Sequence, residues 1–147
     1  MTRRGLIFAV LAGPFCAPLR TPLYADDDAD VWDLLSRVAA ALSEGNAIEF
    51  LKAFDRSMPG YSTLEANIAA LVRDYMVGST IEPITEEGNS QARTLDLDWF
   101  LELVEQQDNT NLTRRREKVR CRVVKMAKKW EIVNIEPLSF FAPPQER

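Results

Sequence analysis

The sequence lacks histidine altogether and contains only two cysteines among its 147 residues. Without histidine, the chain has neither the commonest protein ligand for transition metals nor a side chain that ordinarily titrates near neutral pH. Cys16 falls in a segment that we predict to be removed, so Cys121 should remain alone, as a small buried hydrophobe without a disulfide partner. We therefore expect no bound metal and no cofactor.

Long hydrophobic runs are also missing. The apolar stretch over residues 5–13 follows Arg3 and Arg4 and is far shorter than the roughly 20 residues of a membrane-spanning helix. A basic start, a short apolar stretch and a small residue at Ala25 are typical of a secretory signal, with a buried N-terminal strand as the alternative. The sequence predicts a signal peptide over residues 1–25, a mature domain over 26–147, export to the periplasm or the medium, and no stable membrane span.

The chain has no excess of positive charge. Cleavage after Ala25 would remove three arginines from the 18 basic residues and none of the 22 acidic ones, so the mature domain is more acidic than the formal −4 of the whole chain. Such a protein is poorly suited to general nucleic-acid binding. The basic run over 113–129 alternates with apolar residues, which favours a charge ladder on one sheet face and no nucleic-acid partner.

Two segments, 93–103 and 117–125, alternate apolar and charged residues with period two. This alternation predicts two strands, each with one buried face. A turn over 108–111 would join them into a long antiparallel hairpin. The residues expected to face the core are Leu97, Trp99, Leu101, Val119, Cys121 and Val123.

One register of this hairpin satisfies hydrophobic and charge pairing together. If Trp99 lies opposite Cys121, the flanking apolar residues of the two strands also meet. The same register sets Asp98 against Arg122 on the other face, and a slip by one residue would destroy both sets of pairs. We therefore predict this register.

Three segments before the hairpin have helical spacing, and the predicted helices are 31–42, 46–54 and 62–75. Gly45 is placed to end the first, because glycine takes the left-handed conformation without steric cost. Asn46 is placed to cap the second, and Ser62 with Glu65 forms a capping box at the third. Helices that precede strands in this way predict an α+β domain.

Two further strands complete the predicted sheet. One is expected over 77–81, stopped by Pro83, and the last over Trp130–Ile135. The apolar tail over 140–144 is expected to lie across the sheet. The predicted fold is α+β, with three N-terminal helices packed on a curved four-stranded antiparallel sheet.

The helix triplet, the long strand and the closing run Lys128-Lys129-Trp130-Glu131-Ile132-Val133-Asn134-Ile135 resemble the NTF2-like (SnoaL/ketosteroid-isomerase-like) superfamily from about Asp30 to Phe141. The resemblance implies a cone in which a curved sheet wraps the helices around a pocket. Members include isomerases, cyclases, dehydratases, transport factors and assembly modules, and the fold does not choose among them. Many of the enzymes use a His–Asp pair, which this chain cannot form.

Two functions remain open. One is an exported non-catalytic module that binds a small hydrophobic ligand or assembles through its sheet. The alternative is a histidine-free isomerase or cyclase acting on a hydrophobic substrate, for which Asp74 with Tyr75 or Tyr61 is conceivable. The missing histidine and the lack of a convergent carboxylate–tyrosine set favour the non-catalytic module, so we assign no catalytic residue.

Two surfaces are predicted for such a module. If the cone is open, its wall should include Tyr75, Trp99 and Cys121, which would suit a small hydrophobic ligand. On the outer sheet face, Phe100, Val124 and Met126 interrupt charges of alternating sign. That pattern can complement itself about a two-fold axis, which predicts a homodimer through this face.

Overall fold

The computed structural model describes the backbone of residues 21–144 and the side chains of residues 27–144. Most of the predicted signal peptide, residues 1–20, lies outside the described residues. The elements are α1 (Thr21–Ser43), α2 (Ala47–Leu51), α3 (Tyr61–Asp74), β1 (Tyr75–Gly88), β2 (Ala92–Glu105), β3 (Leu112–Met126), β4 (Lys129–Glu136) and a 3-10 turn (Leu138–Phe141). The strands form an antiparallel meander in the order β1-β2-β3-β4. The predicted α+β class, with three helices and four strands, is confirmed.

The end of α1 and the start of α2 lie where Gly45 and Asn46 predict, but α1 begins at Thr21, ten residues before its predicted start at residue 31. Gly45 follows α1 with φ +70°, and the side chain of Asn46 accepts a hydrogen bond from the Glu49 N–H at 3.1 Å. However, α2 is shorter than predicted. It ends at Leu51 because Phe54 leaves the helix to form a bridge with Ile132 of β4.

The capping box predicted for α3 is wrong. Gly60, with φ +78°, is the N-cap residue, and it makes no side-chain hydrogen bond. A Cβ at this position would lie 2.4 Å from Cδ1 of Leu138. Two features therefore favour glycine at position 60. Its left-handed backbone conformation is strained for other residues, and the C-terminal 3-10 turn leaves no room for a side chain.

The register predicted for the central hairpin is also wrong, although the assignment of faces is right. Trp99 lies opposite Glu117, and Cys121 lies opposite Leu95. β3 has therefore slid four residues along β2 relative to the prediction, and an even slide leaves every side chain on its predicted face. The turn decides the register, because the Glu105 N–H donates to the Asn111 carbonyl at 3.1 Å.

The inner face of the sheet is the core. All six residues predicted to face it have no exposed surface: Leu97, Trp99, Leu101, Val119, Cys121 and Val123. The three helices cover this face, and the 3-10 turn adds Phe140 and Phe141, both buried. The tail thus packs on the sheet, as predicted.

β1 has 14 residues, nearly three times the length of the strand expected over 77–81, and it runs past Pro83. Two features accommodate the proline. β1 is an edge strand, so the missing N–H leaves no ladder partner unpaired, and the register shifts between Pro83 and Thr85.

The outer face carries the predicted charge ladder with the partners of the observed register. Arg116 donates to Asp98 at 2.7 Å, Arg114 donates to Glu102 at 3.0 Å, and Arg120 donates to Asp96 at 2.9 Å. The hydrogen bonds from Arg116 and Arg120 hold the pKa values of Asp98 and Asp96 below the usual range. These carboxylates are ionised at neutral pH and serve as ion-pair partners.

Candidate functional site

The three residues predicted to line a hydrophobic pocket do not converge. Trp99 and Cys121 are both fully buried, but in the observed register they lie four positions apart along the hairpin, roughly 13 Å. Tyr75 begins β1, six positions from Ile81, the residue opposite Trp99, which is roughly 20 Å along the strand. Ligand binding by these residues stays a prediction.

Trp99 is held by the chain's own aromatic residues. Its ring centroid lies 5.1 Å from that of Phe141 and 6.2 Å from that of Phe140. Its Nε1–H donates to Ser79 Oγ at 2.8 Å, which satisfies the polar atom of the indole. Burial also raises the pKa of the Cys121 thiol to about 12, so the thiolate that a nucleophile requires is disfavoured at neutral pH.

Charged residues instead gather on the inner face where α1 meets the sheet. We call this group the α1 cluster: Asp27, Asp28, Arg93, Lys125 and Trp130. Arg93 is 4% exposed, and its guanidinium donates to Asp28, to Glu86 and, at 2.9 Å, to the Asn89 carbonyl. Lys125 donates to Asp27 at 3.2 Å. The cluster therefore ties α1 to three strands of the sheet.

Trp130 is the aromatic centre of the α1 cluster. The Arg93 guanidinium lies 5.6 Å from the centroid of its indole ring, and the Lys125 ammonium lies 6.0 Å away. Both distances allow cation–π attraction. Burial alone would lower the pKa of Arg93, but its hydrogen bonds to Asp28 and Glu86 outweigh that effect and raise it.

Sequence reasoning missed the α1 cluster, although the alternation carries a signal for it. Arg93 falls on the same face of β2 as the leucines, and Lys125 falls on the same face of β3 as Cys121. A cation at an inward-facing position needs a buried partner, so each of these two residues predicts a carboxylate nearby.

A groove lies beside the α1 cluster, with a cavity volume of about 290 Å³. α1 contributes Asp30, Asp33 and Arg37 to its wall, and the β3–β4 turn with the start of β4 contributes Lys128, Lys129, Trp130 and Glu131. The Nε1–H of Trp130 is the one buried side-chain polar atom among the described residues that has no hydrogen-bond partner. The groove is thus lined by charges of both signs and by an indole whose N–H is buried.

The described residues contain no group of three or more cysteine, aspartate or glutamate side chains placed to hold a metal ion. No helix within residues 21–144 is long and apolar enough to span a membrane.

The residues predicted to form a dimer face do not make one patch. Phe100 lies opposite Arg116, eight positions along β3 from Val124, which is roughly 26 Å. Val124 and Met126 therefore lie at the opposite end of the sheet from Phe100.

A different apolar row crosses the outer face at the end of the sheet where β2 turns into β3. Met76, Val104 and Leu112 lie side by side on β1, β2 and β3. Met76 is 53% exposed and Leu112 is 44% exposed. We call this set the outer apolar row. Apolar surface gathered in this way is typical of an interaction site.

No family model and no curated protein matches the chain. The chain is similar in structure to an NTF2-like superfamily protein from Salmonella enterica serovar Typhimurium, with a TM-score of 0.63 and 13% identity over 76% of this chain and 89% of that one. A scytalone dehydratase-like protein from Novosphingobium aromaticivorans has a TM-score of 0.70 and 9% identity over 78% and 85% of the two chains. A protein with a cystatin-like fold from Nostoc punctiforme has a TM-score of 0.54 and 19% identity over 76% and 89%. At such identities the likeness concerns the fold, and this chain has the NTF2-like α+β fold.

Proposed function

We propose that this chain is an exported, non-catalytic NTF2-like module that assembles with a second copy of itself through the outer face of its sheet. The observation that carries this proposal is the outer apolar row, Met76, Val104 and Leu112, which spans three strands with two of its members about half exposed. Burying such a row removes apolar surface from water and favours association.

The charges around the row support a second copy as the partner. On the outer face, β2 carries Asp96, Asp98 and Glu102, whereas β3 carries Arg114, Arg116, Lys118 and Arg120. A two-fold axis parallel to the strands and midway between β2 and β3 would place the acidic strand of each copy over the basic strand of the other. Val104 would then face Leu112 of the second copy, and Phe100 would face Arg116.

The interior of the fold supports a non-catalytic role and favours assembly over a ligand in the cone. Phe140 and Phe141 pack against Trp99, where the resemblance implied a pocket. Among the described residues, the two mostly buried acidic side chains, Asp27 and Asp96, are each paired with a cation. Neither carboxylate lies unpaired among apolar side chains, as the carboxyl group of a general acid often does.

Val104→Glu is expected to convert a dimer into a monomer while the fold remains intact. The substitution places a carboxylate opposite Leu112 of the second copy and beside Glu102 of the same face. Sedimentation velocity measures the change in mass, and far-ultraviolet circular dichroism checks the fold.

Ile48→Glu is the matched control for Val104→Glu. Ile48 is an apolar residue with 74% exposure, but it lies on α2, on the helical side of the molecule. This variant should sediment as the wild type does. A wild-type protein that sediments as a monomer at tens of micromolar, with no change in either variant, would remove the proposal.

Export is the second part of the proposal. The basic start and apolar stretch before Ala25 support it, and cleavage there would retain Asp27 and Asp28, the residues that join α1 to the sheet. Mass spectrometry of the protein from its native host should find a chain that begins near Asp26 in the exported fraction. A chain that retains residues 1–25 in the cytoplasmic fraction would contradict this part of the proposal.

A further inference from the structure

We infer that the groove between α1, α2 and the β3–β4 turn binds a small zwitterion with an apolar body, such as a free amino acid. The groove lies on the helical side of the molecule, away from the outer apolar row. Its occupancy is therefore independent of dimer formation.

The charges of the groove face it without pairing across it. The α1 wall carries Asp30 and Asp33 with Arg37, and the facing wall carries Lys128 and Lys129 with Glu131, so the two walls have opposite net charge. None of these six residues forms an ion pair with a described residue, whereas Glu49 and Lys52 on α2 pair with each other. Asp33 and Arg37 even have the i,i+4 spacing that allows a helical ion pair, yet they form none. A ligand with only negative charges would be repelled by the carboxylates, and a ligand with only positive charges would be repelled by the lysines. A zwitterion can pair with both walls.

The apolar floor and the two charged walls give the ligand an orientation. Leu34, Val38 and Ala53 supply apolar lining, which suits a hydrocarbon side chain. A carboxylate of the ligand would lie toward Lys128 and Lys129, and its ammonium toward Asp30 and Asp33. Trp130 is 5% exposed and also lines the groove, so its indole signals report on a bound ligand.

The test uses three probes that share one hydrocarbon body. L-Leucine carries both charges, isoamylamine carries only the ammonium, and 4-methylpentanoate carries only the carboxylate. Titration of the ¹⁵N-labelled chain, followed through the assigned indole N–H signal of Trp130, should show saturable binding of leucine at millimolar concentrations. Each single-charge probe should bind roughly tenfold more weakly, the loss expected for one charge-assisted contact.

Variants with matched controls locate the site. Asp33→Asn and Lys129→Gln should each weaken leucine binding roughly tenfold. Glu44→Gln and Arg56→Gln remove exposed charges that do not line the groove, so leucine affinity should not change. The inference is overturned if leucine leaves the Trp130 signal unmoved, if the three probes bind equally well, or if the control variants weaken binding as much as the groove variants.

Discussion

Trp99→Ala is expected to lower the free energy of unfolding by about 3–5 kcal/mol, because truncation of a large core side chain leaves a cavity. The indole has no exposed surface and packs against both Phe140 and Phe141. Its loss would therefore loosen the 3-10 turn as well as the sheet. Urea denaturation of the wild type and the variant measures the difference.

Trp99→Phe separates the packing of the ring from its hydrogen bond. Phenylalanine keeps an aromatic ring in the core but removes the donor to Ser79 Oγ, so the expected loss is smaller than that of the alanine variant. A loss below about 1 kcal/mol for Trp99→Ala would contradict the assignment of Trp99 to the centre of the core.

Arg93→Met is expected to lower the free energy of unfolding by about 1.5–3 kcal/mol, the range for hydrogen bonds to charged groups. Methionine replaces the length of the side chain but not its hydrogen bonds to Asp28, Glu86 and the Asn89 carbonyl. The carboxylates left behind are 53% and 30% exposed, so they regain water, and the loss should stay below that of a fully buried pair.

Arg73→Met is the control for Arg93→Met. Arg73 also pairs with a carboxylate, that of Asp74 at 3.0 Å, but its side chain is 71% exposed. Exposed pairs stabilise by at most about 1 kcal/mol, so this variant should be nearly neutral. Equal losses for the two arginines in urea denaturation would show that burial of Arg93 contributes nothing.

The sequence predicted which face of each central strand is buried because alternation determines the face. Leu97 and Val119 are buried in the predicted register and in the observed one, since the two registers differ by an even number of residues. The same property explains why the register was wrong. The charges on the outer face are so regular that Asp98 finds a basic partner in either register, and the turn decides between them.

The candidate sites were harder to predict because they depend on that register and on contacts between distant segments. The four-residue difference between the predicted and the observed register doubles the distance along the sheet between Phe100 and Val124. The predicted dimer patch is therefore divided. The observed register also places Leu112 beside Val104, which completes the outer apolar row. Asp27 and Lys125 are far apart in sequence, and only the folded chain brings them together.

Association through the outer apolar row would bring Val104 of one copy against Leu112 of the other. Isotope-filtered nuclear Overhauser measurements on a mixture of labelled and unlabelled chains detect this association, because they record contacts between copies only. We expect contacts between copies that join the methyl groups of Val104 and Leu112, together with contacts from the Phe100 ring. Contacts between copies that arise from Ile48 and the helical side, or none from the outer face in a sample that sediments as a dimer, would rule out this interface.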